Sequence, residues 1–174
     1  SGGYYYDLFK QGATLVPGCF WFVEPKIDVK SLGFNPLSPY IVTAKNPQAK
    51  DPWKSITMEG CVEKQFLYTT IIGTDLLPFE YRVRKLIVLP LEENNGNVEI
   101  LEHSNMFVGA TDGMKEWLTD AETLWRKHST AKSKNMSIYE RINRNSGLTQ
   151  QKPNSKFKVL YNRSGAYMAA CVAK

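Results

Sequence analysis

Between Asp112 and His128 the apolar positions Met114, Trp117, Leu118, Ala121, Leu124 and Trp125 return every three or four residues. That spacing predicts an amphipathic helix over 112–128, with Thr111 or Asp112 as its N-cap. His128 closes the stripe, where a core-facing or C-capping imidazole is favoured over a catalytic one because the helix dipole suits it. Further along, Ser137-Ile138-Tyr139-Glu140 is a capping box that opens a short helix ending at Gly147. Val62, Phe66, Leu67, Thr70 and Ile71 also recur at helical spacing, and Gly73 stands where a C-cap would, so a helix of about three turns is expected there.

Strand signals surround these helices. Ala13–Val16 and Cys19–Val23 are β-type apolar runs separated by Pro17-Gly18 and predict two strands about a tight turn. One strand is expected at Tyr40–Thr43 within an otherwise proline-rich stretch. Leu86–Pro90 and Val98–Leu101 flank Glu92–Asn97 as a hairpin, and Phe157–Tyr161 pairs with Tyr167–Val172 across Asn162–Gly165. Short strands mixed with about three helices in no repeating βα order predict an α+β fold with a mainly antiparallel, twisted sheet.

The length of 174 residues suits one domain over 1–174 with a proper core. Ser1-Gly2-Gly3 reads as an expression remnant, and the chain stops in a strand-like run, so a fragment of a larger polypeptide is the expectation. The longest apolar runs fall far below the roughly 20 residues of a membrane helix. Cys19, Cys61 and Cys171 are odd in number, widely spaced and set among apolar neighbours, which favours reduced core thiols in a cytoplasmic protein over disulfides. With only His103 and His128 to accompany them, a zinc site is not expected.

Charge divides the chain sharply. From Arg126 to Lys174 eleven lysines and arginines face one acid, Glu140, for a net of +10, whereas the first 125 residues net −5. A dense cationic end with Asn, Gln, Ser and Tyr interspersed suits a phosphate backbone, because cations that displace condensed counterions gain affinity without reading sequence. A merely solvated surface or tail is the other reading of the charge. The capped helix and paired strands of this region make it a folded surface.

Catalytic constellations are missing. Gly12 to Gly18 has the wrong spacing for a phosphate loop and is followed by Cys19-Phe20. There is no G-x-G-x-x-G and no G-x-S-x-G, and Glu92-Glu93 lies in a polar turn where solvated carboxylates are expected. A stand-alone hydrolase or nuclease would need clustered acids or histidines that this chain lacks.

Several blocks in order carry a resemblance. They are Leu8–Pro17 with Phe20–Val23, Val62–Tyr68, Asp75–Phe79, Leu148–Gln150, and Phe157–Gly165 with Ala169-Ala170. This succession resembles the region that follows the catalytic domain in adenine-N6 DNA methyltransferases of restriction-modification systems, particularly fused methyltransferase/specificity polypeptides. The resemblance implies a target-recognition domain that holds duplex DNA while an attached methyltransferase domain binds S-adenosylmethionine and methylates an extruded adenine. No cofactor is then expected in this chain. Where the family carries Val-Pro-Arg, this chain has Val16-Pro17-Gly18, so any arginine contact there is lost. Asn46-Pro47-Gln48-Ala49 and Asp51-Pro52-Trp53-Lys54 lack the second proline of the base-gripping methyltransferase motif and read as turns.

On that reading, Lys132, Lys134, Arg141, Lys152, Lys156 and Lys158 are candidates for phosphate contacts. Bidentate chemistry, arginine to guanine and Asn or Gln to adenine, points to Asn143, Arg144, Gln150, Gln151, Asn162 and Arg163 as base readers. The expected partners are double-stranded DNA and the attached methyltransferase domain. The alternative is a protein-interaction domain whose basic end docks on a methyltransferase or nuclease domain.

Overall fold

The computed structural model describes residues 9–26, 35–105, 111–131, 133–151, 155–162 and 167–174. A single helical turn, α1 (Gly18–Trp21), leads into β1 (Val23–Pro25), which forms an antiparallel three-stranded sheet with β2 (Tyr40–Thr43) and β3 (Glu59–Cys61) in the order β1-β2-β3. Next, β4 (Leu67–Thr70), the short hairpin of β5 (Leu76–Leu77) and β6 (Glu80–Tyr81), and β7 (Lys85–Val88) follow in sequence, with β4 paired to β7. A second hairpin, β8 (Leu91–Asn94) and β9 (Asn97–Ile100), precedes helices α2 (Asp112–His128) and α3 (Ile138–Ile142), and the chain closes on the antiparallel pair β10 (Lys158–Tyr161) and β11 (Ala170–Ala173). The fold is α+β, and its strand pairs among the described residues are antiparallel.

Helix α2 is the spine of the main core. Met114, Trp117, Leu118, Ala121 and Trp125 are buried along one face, against Phe20, Trp21, Ile41, Val62, Phe66, Val88 and Ile142. Burying side chains of this size contributes about 1.5–3 kcal/mol each. The two buried indoles of α2 satisfy their N–H groups, Trp117 Nε1 donating to the Phe20 carbonyl at 2.9 Å and Trp125 Nε1 to that of Met136 at 2.8 Å, whereas Trp21 Nε1 is buried with no hydrogen-bond partner among the described residues. The first turn of α2 is capped from a distance, since the Glu63 carboxylate accepts from the N–H groups of Gly113 at 2.9 Å and Met114 at 3.0 Å. A carboxylate there satisfies orphan donors and meets the positive end of the dipole. Gly113 is required for the approach, because a Cβ on it would lie 2.3 Å from the Cys61 carbonyl oxygen. His128, as expected, faces inward and meets Trp53 edge-on, with centroids 5.9 Å apart.

A smaller cluster lies at the other end of the chain order. Leu76, Ala169 and Cys171 are buried together with Tyr81 and Leu160 packed against them, so β11 closes over the β5–β6 hairpin. The Phe79 N–H donates to the Ala170 carbonyl at 2.8 Å and ties the two hairpins.

Three expectations are corrected. Residues 13–16 form no strand, and Gly18–Trp21 is a helical turn whose Cys19, Phe20 and Trp21 are all buried. A short apolar run buried on every side carries no period that separates helix from strand. The helix expected over 62–73 is instead a 3-10 turn at Lys64–Phe66 followed by β4, which pairs Leu67 with Val88 and Thr70 with Lys85. Thr69, Thr70, Ile71 and Ile72 are consecutive β-branched residues that favour a strand, and the apparent i, i+4 pair Val62 and Phe66 is brought inward by the 3-10 turn. The hairpin expected from Leu86–Pro90 and Val98–Leu101 forms one strand later, between β8 and β9, around Asn95 and Gly96. Both turn residues have positive φ, 52° and 80°, as a tight hairpin turn of matching twist demands. Cys19 and Cys171 are buried as expected, whereas Cys61 is exposed. No helix among the described residues is long and apolar enough to cross a membrane.

Candidate nucleic-acid interface

The basic end is held together by a segment from the opposite terminus. Residues 9–16 run without regular structure as a strap along it. At one point the Tyr161 hydroxyl donates to the Lys10 carbonyl at 2.9 Å, and the Tyr161 ring meets Phe9 edge-on with centroids 5.0 Å apart. At the next, Gly147 is pressed so closely on the strap that a Cβ there would lie 2.8 Å from the Gly12 carbonyl oxygen and 3.3 Å from that of Gln11. The Thr14 N–H then donates to the Ile142 carbonyl at 3.3 Å. Lys10 and Gly12 are two residues apart, about 7 Å of extended chain. The turn after α3 and the strand β10 therefore occupy neighbouring parts of one surface.

That turn is built to project polar side chains. The capping box sets α3: the Ser137 hydroxyl accepts from the Glu140 N–H at 3.0 Å and the Glu140 carboxylate from the Ser137 N–H at 2.7 Å. After α3, Asn145 and Ser146 both hold φ of 55°, a conformation that costs a non-glycine residue about 1 kcal/mol or more and persists where neighbours impose it. Gly147 on the strap and the Asn143 side chain impose it here. Asn143 Oδ1 accepts from the N–H groups of Leu148 at 3.2 Å and Thr149 at 3.1 Å and from the Thr149 hydroxyl at 3.2 Å. Arg144, Asn145, Ser146 and Gln150 are exposed on the result.

The twelve candidate side chains thus divide. Arg144 and Gln150 are exposed on the turn, Lys156 is exposed with its ammonium 5.5 Å over the Phe157 ring, and Lys134 is exposed at the far end of α2–α3. Arg141 is half-buried on α3, and its Nε is buried without a hydrogen-bond partner among the described residues. Lys158 is half-buried, and that burial lowers the pKa of its ammonium below the usual lysine value. Asn143 is committed to backbone groups. So is Asn162, whose Nδ2 donates to the Tyr167 carbonyl at 2.8 Å and whose Oδ1 accepts from the Ala169 N–H at 2.8 Å. Gln151 Nε2 donates to the Gly147 carbonyl at 2.9 Å. Lys132, Lys152 and Arg163 lie outside the described residues.

Beside α3, on the flank lined by Glu102 and Tyr139, two adjoining clefts of about 480 and 530 Å3 share Glu102, Tyr139 and Glu140. Tyr139 donates to Glu122 Oε1 at 2.6 Å and accepts from the His103 N–H at 3.0 Å. Burial, then the bond to Glu122, raises the Tyr139 pKa far above the ordinary phenol value. Three acids, Glu102, Glu122 and Glu140, line the first cleft together with two cations, Lys134 and Arg126, the latter paired with Glu122 at 3.0 Å.

No family model, no curated protein and no solved structure matches the chain.

One further cation reaches the C-terminal end from the acidic part of the chain. Arg84 donates to the Tyr81 hydroxyl and to the carbonyl of Lys174, just past β11, and Arg82 N–H donates to the Asp75 carbonyl at the base of the same hairpin. Arg82-Val83-Arg84-Lys85 is a visible cationic run, but adding up charge by halves of the chain hides it. Asn145 and Ser146 also lie on this turn; Asn tolerates the left-handed region better than most residues, but Ser146 at φ 55° has no such local signal. A rigid turn bearing Arg and amide side chains, between surfaces rich in Lys and Arg, can combine phosphate contact with base-edge contact.

Proposed function

We propose that the chain is a non-catalytic, sequence-specific duplex-DNA recognition domain of a restriction-modification adenine-N6 DNA methyltransferase. In this role it orients the target adenine for an attached, S-adenosylmethionine-dependent catalytic domain in the cytoplasm. One observation carries the reading: the strap joins the Arg144–Gly147 turn to the β10–β11 hairpin, which brings two segments of the basic end, far apart in sequence, next to each other. Arg144 and Gln150 supply base-edge chemistry there, while Lys134 and Lys156 serve the backbone. Asn143 Oδ1 and both ends of the Asn162 amide bond within the fold, which favours a loop-holding role for these two over a base contact.

The test is duplex affinity as a function of salt. Six or more phosphate contacts lower affinity by about three orders of magnitude between roughly 50 and 200 mM salt. Affinity insensitive to salt counts against the reading. Exposed Phe79, at 94 %, and Met168, at 84 %, favour docking on a catalytic domain as the second reading. Stable association of the chain with a separate methyltransferase domain, together with no affinity for DNA, would support it.

A further inference from the structure

The outer face of the terminal hairpin is apolar and uncovered among the described residues. In the β10–β11 register Leu160 pairs with Cys171, facing inward onto Leu76 and Tyr81, while Val159 pairs with Val172 on the opposite face. Val159 is 71 % and Val172 61 % exposed. Alternation puts Phe157, just before β10, and Tyr161 on the same side as Val159. Phe157 is 56 % exposed, and Tyr161 is steadied by the edge of Phe9 and by its bond to the strap. An aromatic, a valine and an aromatic at every second position thus form a ledge.

The surroundings of this ledge are cationic. Lys156 stands over the Phe157 ring, and Lys10 lies on the strap segment whose carbonyl Tyr161 bonds. Residues 9–12, 155–162 and 167–174 contain no acid. Two strands of four residues give a face only about 14 Å long and 5–10 Å wide. Flat apolar groups tethered to a polyanion fit both its size and its charge. Duplex DNA hides its base faces within the stack, so the occupant is unpaired.

We propose that the Phe157–Val159–Tyr161 face of the β10–β11 hairpin is a stacking platform for unpaired nucleobases of a single strand, with Lys156 and its neighbouring cations holding the phosphates. This goes beyond duplex recognition and does not depend on it. Phe157 is exposed and leaves the core untouched when replaced, so it is the position to test.

The probe is an oligothymidylate of about 16 nucleotides, titrated against the full chain by fluorescence anisotropy. F157A is expected to weaken its binding about tenfold, F157W to keep it within about twofold, and both to leave duplex affinity within about twofold. Oligothymidylate binding that is absent, or equal in wild type and F157A, overturns the platform even if the duplex still binds with strong salt dependence. Phe157-dependent single-strand binding without duplex affinity sustains the platform and removes the duplex reading. Vesicles containing phosphatidylserine are the control. Phe157-dependent vesicle binding without oligothymidylate binding overturns the proposal in favour of a lipid surface.

Discussion

The hydroxyl of Tyr161 donates to the carbonyl of Lys10 across 151 positions of sequence, at 2.9 Å. With Gly147 pressed on Gly12, it makes a strap of Phe9–Gly12 that organises the basic end. Tyr161→Phe removes one exposed hydrogen bond and should cost about 0.5–1.5 kcal/mol. Gly147→Ala forces a Cβ against backbone and should cost more, about 1–3 kcal/mol. Urea denaturation of the two variants checks the order, and a silent Gly147→Ala would mean that the strap is not seated as described.

Glu63 caps α2 from fifty residues upstream. Glu63→Ala leaves the N–H groups of Gly113 and Met114 without their acceptor and should lower stability by about 1–2 kcal/mol. Because a charged cap acts through the dipole, Glu63→Gln should recover only part of that loss. Thermal melts of the three proteins, side by side, make the comparison.

The same residue shows where sequence stops being informative. Helix α2, the Ser137 box and the β10–β11 pair were legible because each is written in a local period or a local spacing. Nothing local says that Glu63 reaches Gly113, or that Gly12 needs a glycine opposite it at 147. The segment 62–73 misleads for the same reason, since Val62 and Phe66 mimic a helical repeat while β4 is decided by its partner β7, about eighteen residues on. At the site, residue type pointed to Arg144 and Gln150, and both are exposed. Residue type could not say that Asn143 and Asn162 also bond within the fold, because an amide that reads a base and an amide that closes a loop look alike until their neighbours are known.

Asn143 should therefore behave as a structural residue. Asn143→Ala strands the N–H groups of Leu148 and Thr149 and is expected to cost about 1–3 kcal/mol in urea denaturation. It should weaken binding to all duplexes alike. A selective change at one base position would mean that the side chain reads DNA.

Burial pushes the Cys19 thiol from 9.0 up to about 11, against a smaller opposing pull from its backbone hydrogen bond. The folded state thus favours the neutral thiol. Its contribution is present in full below 9.0 and is lost as the pH climbs to about 11, because the unfolded chain ionises first. Stability should fall over that window by about 1–3 kcal/mol more in wild type than in Cys19→Ala, read from urea midpoints at successive pH values. Identical slopes would show that Cys19 does not titrate with unfolding.

Selection from a pool of randomised duplexes tests sequence-specific recognition most directly, with wild type, Arg144→Ala and Lys134→Ala compared under one salt condition. The account predicts one enriched motif for wild type, the same motif at lower yield for Lys134→Ala, and a motif relaxed at a single base pair for Arg144→Ala, at a cost of about 1–3 kcal/mol there. A pool that emerges unenriched, or variants that change it identically, would contradict it.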